Sequence, residues 1–80
     1  MKFSQMRDVV AIAERGSLRA AARHLSLAQP ALTRSIHELE RELGVPLFER
    51  QPKGVIVTAM GKLFIRRATA VWGELRRAQE

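Results

Sequence analysis

Ser17-Leu18-Arg19-Ala20-Ala21-Ala22-Arg23-His24-Leu25-Ser26-Leu27-Ala28-Gln29-Pro30-Ala31-Leu32-Thr33-Arg34-Ser35-Ile36 holds two helical periodicities separated by a gap too short for anything but a turn. Ser17 can cap a helix over 18–25 whose apolar face is Leu18, Ala21, Ala22 and Leu25, and the alanines at 20–22 allow close approach to a neighbour. Only Ser26, Leu27, Ala28 and Gln29 lie between Leu25 and Pro30, the length of the tight turn in a helix-turn-helix. Pro30 suits the first turn of the next helix, where its missing N–H has no intrahelical acceptor to lose. From there Leu32, Ile36, Leu39 and Leu43 mark one buried stripe that stops at Gly44, with Pro46 beyond. At 100° per residue Pro30, Thr33, Arg34, His37 and Arg41 fall away from that stripe, on a polar face turned to solvent or to a ligand.

Upstream, Phe3, Met6, Val9, Val10 and Ala13 recur at helical spacing, so a first helix is expected over about 5–15 with Ser4 as its cap and Gly16 at its end. Downstream, Leu47–Arg50 and Val55–Thr58 flank Gln51-Pro52-Lys53-Gly54, a hairpin with Lys53 at its tip. Thr58 can cap a final helix through about 79, with Phe64, Ala68, Val71, Trp72, Leu75 and Ala78 as its apolar stripe. That stripe is longer than three short helices can cover, so its far end is expected to meet something else. The fold class that results is mainly α: a winged helix-turn-helix, with a three-helix core and a two-stranded wing over 1–58, followed by a long linker and dimerisation helix over 59–80.

Eighty residues make one core, and the absence of cysteine excludes disulfide staples, cysteine-ligated metal sites and a thiol nucleophile. No apolar run approaches the roughly 20 residues of a membrane span, and Met1 to Asp8 lacks the apolar stretch of a signal peptide. A cytoplasmic domain with no membrane partner is expected. The net charge of +6 points to a polyanion, and its distribution is more telling than its size. Residues 15–34 carry Arg15, Arg19, Arg23 and Arg34 with no acid, and residues 50–73 carry Arg50, Lys53, Lys62, Arg66 and Arg67 with no acid. The intervening 35–49 holds Glu38, Glu40, Glu42 and Glu49 against Arg41 alone. Segmental alternation of this kind suggests one face for an anion and another turned away from it.

Enzymatic motifs fail on inspection. His37-Glu38 opens a zinc-protease pattern, but Arg41 stands where the second histidine belongs; Gly61-Lys62 resembles the end of a phosphate-binding loop, but Leu63 replaces the hydroxyl and Ile56 the glycine. No catalytic residue, metal site or cofactor is expected. The major groove of B-DNA admits one α-helix, and the N-terminal residues of the second helix of a helix-turn-helix meet base edges there. On this reading Gln29, Pro30, Thr33 and Arg34 face the bases, and Arg19, Arg23, His37 and Lys53 face phosphates or the minor groove. The alternative is an ordinary solvated helix face on a basic module that binds RNA or a protein. Against RNA stands the scarcity of stacking aromatics, since Phe3, Phe48, Phe64 and Trp72 all occupy positions that read as core or interface.

Gly16-Ser17, Ala21-Ala22, Leu25, Gln29-Pro30-Ala31-Leu32-Thr33, Ile36, Leu39-Glu40, Leu43-Gly44, Leu47-Phe48, Arg50, Thr58 and Gly61 also fall in the order and spacing of one bacterial family. Over about residues 3–67 the chain resembles the N-terminal DNA-binding region of LysR-type transcriptional regulators. The resemblance implies base reading by Gln29, Pro30 and Arg34, Thr33 near the phosphates and Lys53 reaching toward the minor groove. It further implies a homodimer paired through the last helix on a pseudo-palindromic operator whose half-sites contain a T, eleven bases and an A. Higher oligomers are implied for a full-length parent, in which a small-molecule inducer is bound by a separate C-terminal domain. Two positions depart from the family pattern: Ala28 stands where serine is usual, which removes a cap for the third helix, and Met60 stands where alanine is usual.

Overall fold

The computed structural model describes residues 1–80, and its first helix, α1 (Phe3–Arg15), packs against all three other helices, α2 (Leu18–Leu25), α3 (Gln29–Leu43) and α4 (Ala59–Gln79). Between α3 and α4 the strands β1 (Phe48–Gln51) and β2 (Gly54–Val57) pair antiparallel, Phe48 opposite Val57 and Gln51 opposite Gly54, which leaves Pro52 and Lys53 at the tip. The architecture is therefore mainly helical with a two-stranded wing, as the periodicities required.

The central position of α1 explains where the sequence reading of that helix departs from the structure. A single stripe of Phe3, Met6, Val9, Val10 and Ala13 was expected to be the buried face. Instead Asp8, Val9, Val10, Ala11 and Ile12 are all buried, because a helix surrounded on several sides is covered all round. Phe3, at the end of that helix, is 60% exposed, while Phe48, Phe64 and Trp72 are half-buried. The helix also starts earlier than 5. Ser4 lies inside it, and the backbone N–H of Lys2 at the N-cap position donates to Oε1 of Gln5 at 2.8 Å, closing the first turn from within.

The turn chemistry follows the expected rules for α2. Ser17 Oγ accepts from the Ala20 N–H at 3.0 Å, and Gly16 takes the left-handed conformation that ends α1. The third helix begins at Gln29, one residue before Pro30, with Ala28 as an N-cap that has no side-chain acceptor. Ser26 does not fill that role. It is the left-handed C-cap of α2, with φ 57°, and its N–H is bonded to the carbonyls of Ala22 and Arg23. The start of α3 tolerates this because Pro30 has no N–H to satisfy and the Ala31 N–H already reaches the Ala28 carbonyl at 3.0 Å. An Ala28→Ser substitution should therefore stabilise the fold by only about 0.5 to 1 kcal/mol, the lower part of the usual N-cap range, and raise the thermal midpoint by a few degrees.

Leu32, Ile36 and Leu39 of α3 are buried as the stripe required, with Leu43 half-buried beside them. One polar anchor was not foreseen. Glu40 accepts the backbone N–H groups of Leu47 at 2.6 Å and Phe48 at 3.2 Å, which fixes the start of the wing against α3. The opposite end of the wing is held by Thr58, whose hydroxyl donates to the Pro46 carbonyl at 2.7 Å while accepting the Gly61 N–H at 2.9 Å to cap α4. Gly61 is buried so closely against the Leu47 carbonyl that a Cβ would overlap it, so the first turn of α4 can lie here only with glycine. Gly54, with φ 151°, plays the corresponding part at the wing tip, where the next N–H, that of Val55, bonds the Gly16 carbonyl at 3.1 Å. These contacts tie the wing to the turn between α1 and α2.

Candidate nucleic-acid interface

The outward side of α3 is a shallow hollow of about 570 Å³ formed by Gln29, Pro30, Thr33, Arg34, His37, Glu38 and Arg41, with no apolar side chain except that of the proline. Burial of Leu32, Ile36 and Leu39 on the other side of the helix forces Pro30, Arg34, His37, Glu38 and Arg41 outward. Arg34, His37, Glu38 and Arg41 are exposed, and Gln29 and Thr33 are half-buried at the edge. An isolated α-helix surface with side chains is about 10 to 12 Å across, matching the roughly 12 Å width of a B-DNA major groove.

Beside this face runs a second, polar cleft of about 610 Å³, lined by Ser17, Arg19, Gln29, Arg50, Lys53 and Gly54 among others. Its floor is the N-terminus of α2, and its outer wall is the wing. Gln29 borders both hollows, so the helix face and the wing cleft form one continuous surface. The cations on it are free to meet an external anion, because the ion pairs of the chain lie elsewhere: Met1 with Glu42, Arg7 with Asp8, and Arg77 with Glu74. Phosphate oxygens approaching here would find three exposed cations, Arg19, Arg50 and Lys53, around the positive end of a helix dipole.

Gln29, Pro30, Thr33, Arg34 and His37 are thus brought together on one face, and Arg19 and Lys53 join Gln29 in the neighbouring cleft. Arg23 is not among them. It is exposed in the last turn of α2 and lines neither hollow. Two cations that the sequence reading left without a role belong to the surface. Arg41 lies one helical turn beyond His37, and its place on the polar face followed from the 100° periodicity. Arg50 stands two residues after Phe48 in β1, so strand periodicity directs it toward the same side as that residue, and it lines the cleft.

Helix α4 divides its apolar residues between two sides. Ala68 is buried, and Phe64, Trp72 and Leu75 are half-buried, with Trp72 lying in a groove with Val10, Ala11 and Leu25 of α1 and α2. Met60, Leu63 and Val71 are exposed at 51, 56 and 38%, and Ala78 is exposed beside them. Next to Met60 and Leu63 an apolar groove of about 420 Å³ opens between α4 and the end of α3, lined also by Leu43, Val45 and Leu47. No helix of the chain is long and apolar enough to cross a membrane.

Residues 3–62 match the model of the bacterial regulatory helix-turn-helix proteins of the lysR family. The transcriptional regulator ClcR of Pseudomonas putida is 50% identical over 68 residues, which span 85% of this chain and 23% of that protein. The chain thus covers about a quarter of the length of the curated relatives it matches. Among solved structures, the DNA-binding domain of CbnR in complex with DNA superimposes with a TM-score of 0.91 at 38% identity, covering 99% of this chain and 91% of that one. The DNA-binding domain of BenM on benA site 1 DNA gives a TM-score of 0.90 at 36% identity, covering 98% and 88%.

Proposed function

Since this chain belongs to the LysR family of bacterial regulatory helix-turn-helix proteins, we propose that it binds double-stranded DNA sequence-specifically to regulate transcription, with α3 in the major groove and the wing directed at the minor groove. The observation that carries this reading is the continuity of an apolar-poor helix face with a cationic wing cleft through the shared residue Gln29. The two halves divide the work that DNA recognition demands. Phosphate contacts hold the register, and base contacts specify the sequence. Arg19, Arg50 and Lys53 supply the first; Gln29, Pro30 and Arg34 supply the second, with Thr33, His37 and Arg41 at the boundary.

The chemistry of each base reader is defined. Arg34 can fork onto the O6 and N7 of guanine, Gln29 can bond adenine through N6 and N7, and Pro30 offers apolar contact to a thymine methyl. Glu38 is the one acid on the face. It repels phosphate and accepts from a cytosine N4 amine, so it penalises any docking that slides the backbone over the helix. Selection from a random duplex pool tests the whole reading and should enrich one two-fold sequence. Arg34→Ala should then lose discrimination at one base pair per half-site by about 1 to 3 kcal/mol, whereas Lys53→Ala should weaken selected and random duplexes alike. If Arg34→Ala weakened both equally, Arg34 would be a phosphate contact and the docked helix would have to be rotated.

Residues 1–58 form the reading unit in this proposal, and 59–80 serve as linker and dimerisation helix. The exposed flank of α4 carries Leu63, Arg67, Val71, Glu74 and Ala78, and a two-fold partner would use the same flank. A parallel pair would set Arg67 against Arg67 and Glu74 against Glu74. An antiparallel pair centred between Ala70 and Val71 instead sets Leu63 against Ala78, Arg67 against Glu74 and Val71 against Ala70. Only the second arrangement matches apolar to apolar and cation to anion, and it brings the partner's helix end toward the groove beside Met60 and Leu63. The inducer response and higher assembly that the family resemblance implies for a full-length parent would reside outside these 80 residues.

A further inference from the structure

The chain buries one carboxylate. Asp8 of α1 is 2% exposed, and its Oδ1 accepts from Arg7 Nε at 2.9 Å and Arg7 Nη2 at 2.8 Å, while its Oδ2 accepts the Ser35 hydroxyl of α3 at 2.6 Å. Arg7 remains about one third exposed, so it neutralises Asp8 from the rim, and Ser35 is the carboxylate's link to another element. Burying a charge is costly unless all its acceptor sites are used. Replacing buried charged pairs by apolar residues that fit is often neutral or stabilising, so such a pair is weak evidence of a stabilising role. A buried carboxylate at this point therefore calls for a reason other than stability.

Geometry supplies one. Leu32, Ile36 and Leu39 give α3 its attraction to the core, but dispersion and hydrophobic burial have no preferred direction and tolerate rotation of the helix about its axis. A hydrogen bond to a fixed carboxylate does not. Ser35 adjoins Arg34 in sequence and sits on the flank between the buried stripe and the outward face, where a rotational stop is most effective. A turn of about 20° carries a side-chain tip about 6 Å from the axis by about 2 Å, enough to break every hydrogen bond to a base edge. The opposite flank has its own stop, since Glu40 is bonded to the Leu47 and Phe48 N–H groups.

We propose that Asp8 and Ser35 are a positioning pair that fixes the rotation of α3, so that Gln29, Pro30 and Arg34 are presented to base edges in one register. The inference rests on the DNA-reading proposal and extends it to two residues that touch no DNA. Neither residue lies in the hollow that would meet bases; both border a separate groove between α1 and α3 whose rim includes Arg34 and Glu38. The pair acts on specificity through orientation, and leaves the phosphate contacts of Arg19, Arg50 and Lys53 untouched.

The test compares the wild-type chain with Ser35→Ala and Ser35→Thr, using the duplex that the wild type enriches from a random pool and an unrelated duplex of equal length. Circular dichroism and thermal melting establish that all three proteins are folded at the binding temperature. Ser35→Ala should lower the ratio of selected to random affinity by about tenfold, the discrimination of one misaligned base contact, with the salt slope unchanged. Ser35→Thr, which keeps the hydroxyl, should restore the ratio. A merely structural serine would shift the melting midpoint and leave the ratio as it was, and that result, or an equal loss on both duplexes, overturns the inference while the DNA reading stands. A wild-type chain that enriches no sequence overturns both.

Discussion

Raising the salt from 50 to 200 mM should weaken binding of the proposed dimer to duplex DNA by about two and a half to five decades, a log–log slope of about −4 to −8. The magnitude follows from the cleft beside α3. Each phosphate neutralised releases counterions with a slope of about −0.9, and Arg19, Arg50 and Lys53 of each subunit are exposed and unpaired within the chain. Six such contacts in a proposed dimer predict a slope of about −5. Arg50→Ala, which removes one contact from each subunit, should flatten it by about 2 without altering which sequence is preferred. Fluorescence anisotropy across a salt series provides the measurement. A slope near zero would mean that the +6 charge serves some other purpose than holding a polyanion.

The outward face of α3 and the wing beside it were legible because they obey local rules. The left-handed Gly16 ends α1, Ser17 caps the start of α2, proline lies in the first turn of α3 and the left-handed Gly44 ends it, and 3.6-residue periodicity then settles which side of α3 is outward. What stayed hidden depends on tertiary neighbours. Asp8 reads as a surface residue until α3 is seen to offer it Ser35, and Glu40 reads as one of several solvated acids until the wing places two N–H groups beside it. The stripe of α1 misled for the same reason: periodicity identifies one apolar side, but not that three helices surround the segment Val9-Val10-Ala11-Ile12. Arg50 needed the strand register to be placed in the cleft, whereas Arg23, exposed in the last turn of α2, lines neither hollow.

Val71→Asp should dissociate the dimer proposed through α4, weakening self-association by about a hundredfold or more, while leaving half-site affinity intact. In the antiparallel arrangement the two copies of Val71 lie near the two-fold axis, so the substitution puts two like charges close together in an apolar contact. The surrounding stripe divides into two roles. Trp72 and Leu75, with Phe64 and Ala68, are covered wholly or in part by their own subunit, so Trp72→Ala should lower thermal stability more than it affects pairing. Arg67 and Glu74 test the direction of the helices. Arg67→Glu should weaken the dimer by about tenfold, since it turns two attractive pairs repulsive, and adding Glu74→Arg should restore it. Glu74 already meets Arg77 of its own helix on the exposed surface, a pair that solvent screens and that a partner's Arg67 can replace at little cost. Sedimentation equilibrium measures each step, and binding to full and half operators gives the functional counterpart: loss of pairing should reduce full-operator affinity alone. A wild-type chain that remains monomeric at high micromolar concentration and binds both operators equally would remove α4 as the dimer element. A dimer that survives Val71→Asp but dissociates on Trp72→Ala at temperatures where each subunit stays folded would turn the helix over, making the Phe64, Trp72 and Leu75 side the surface that meets the partner.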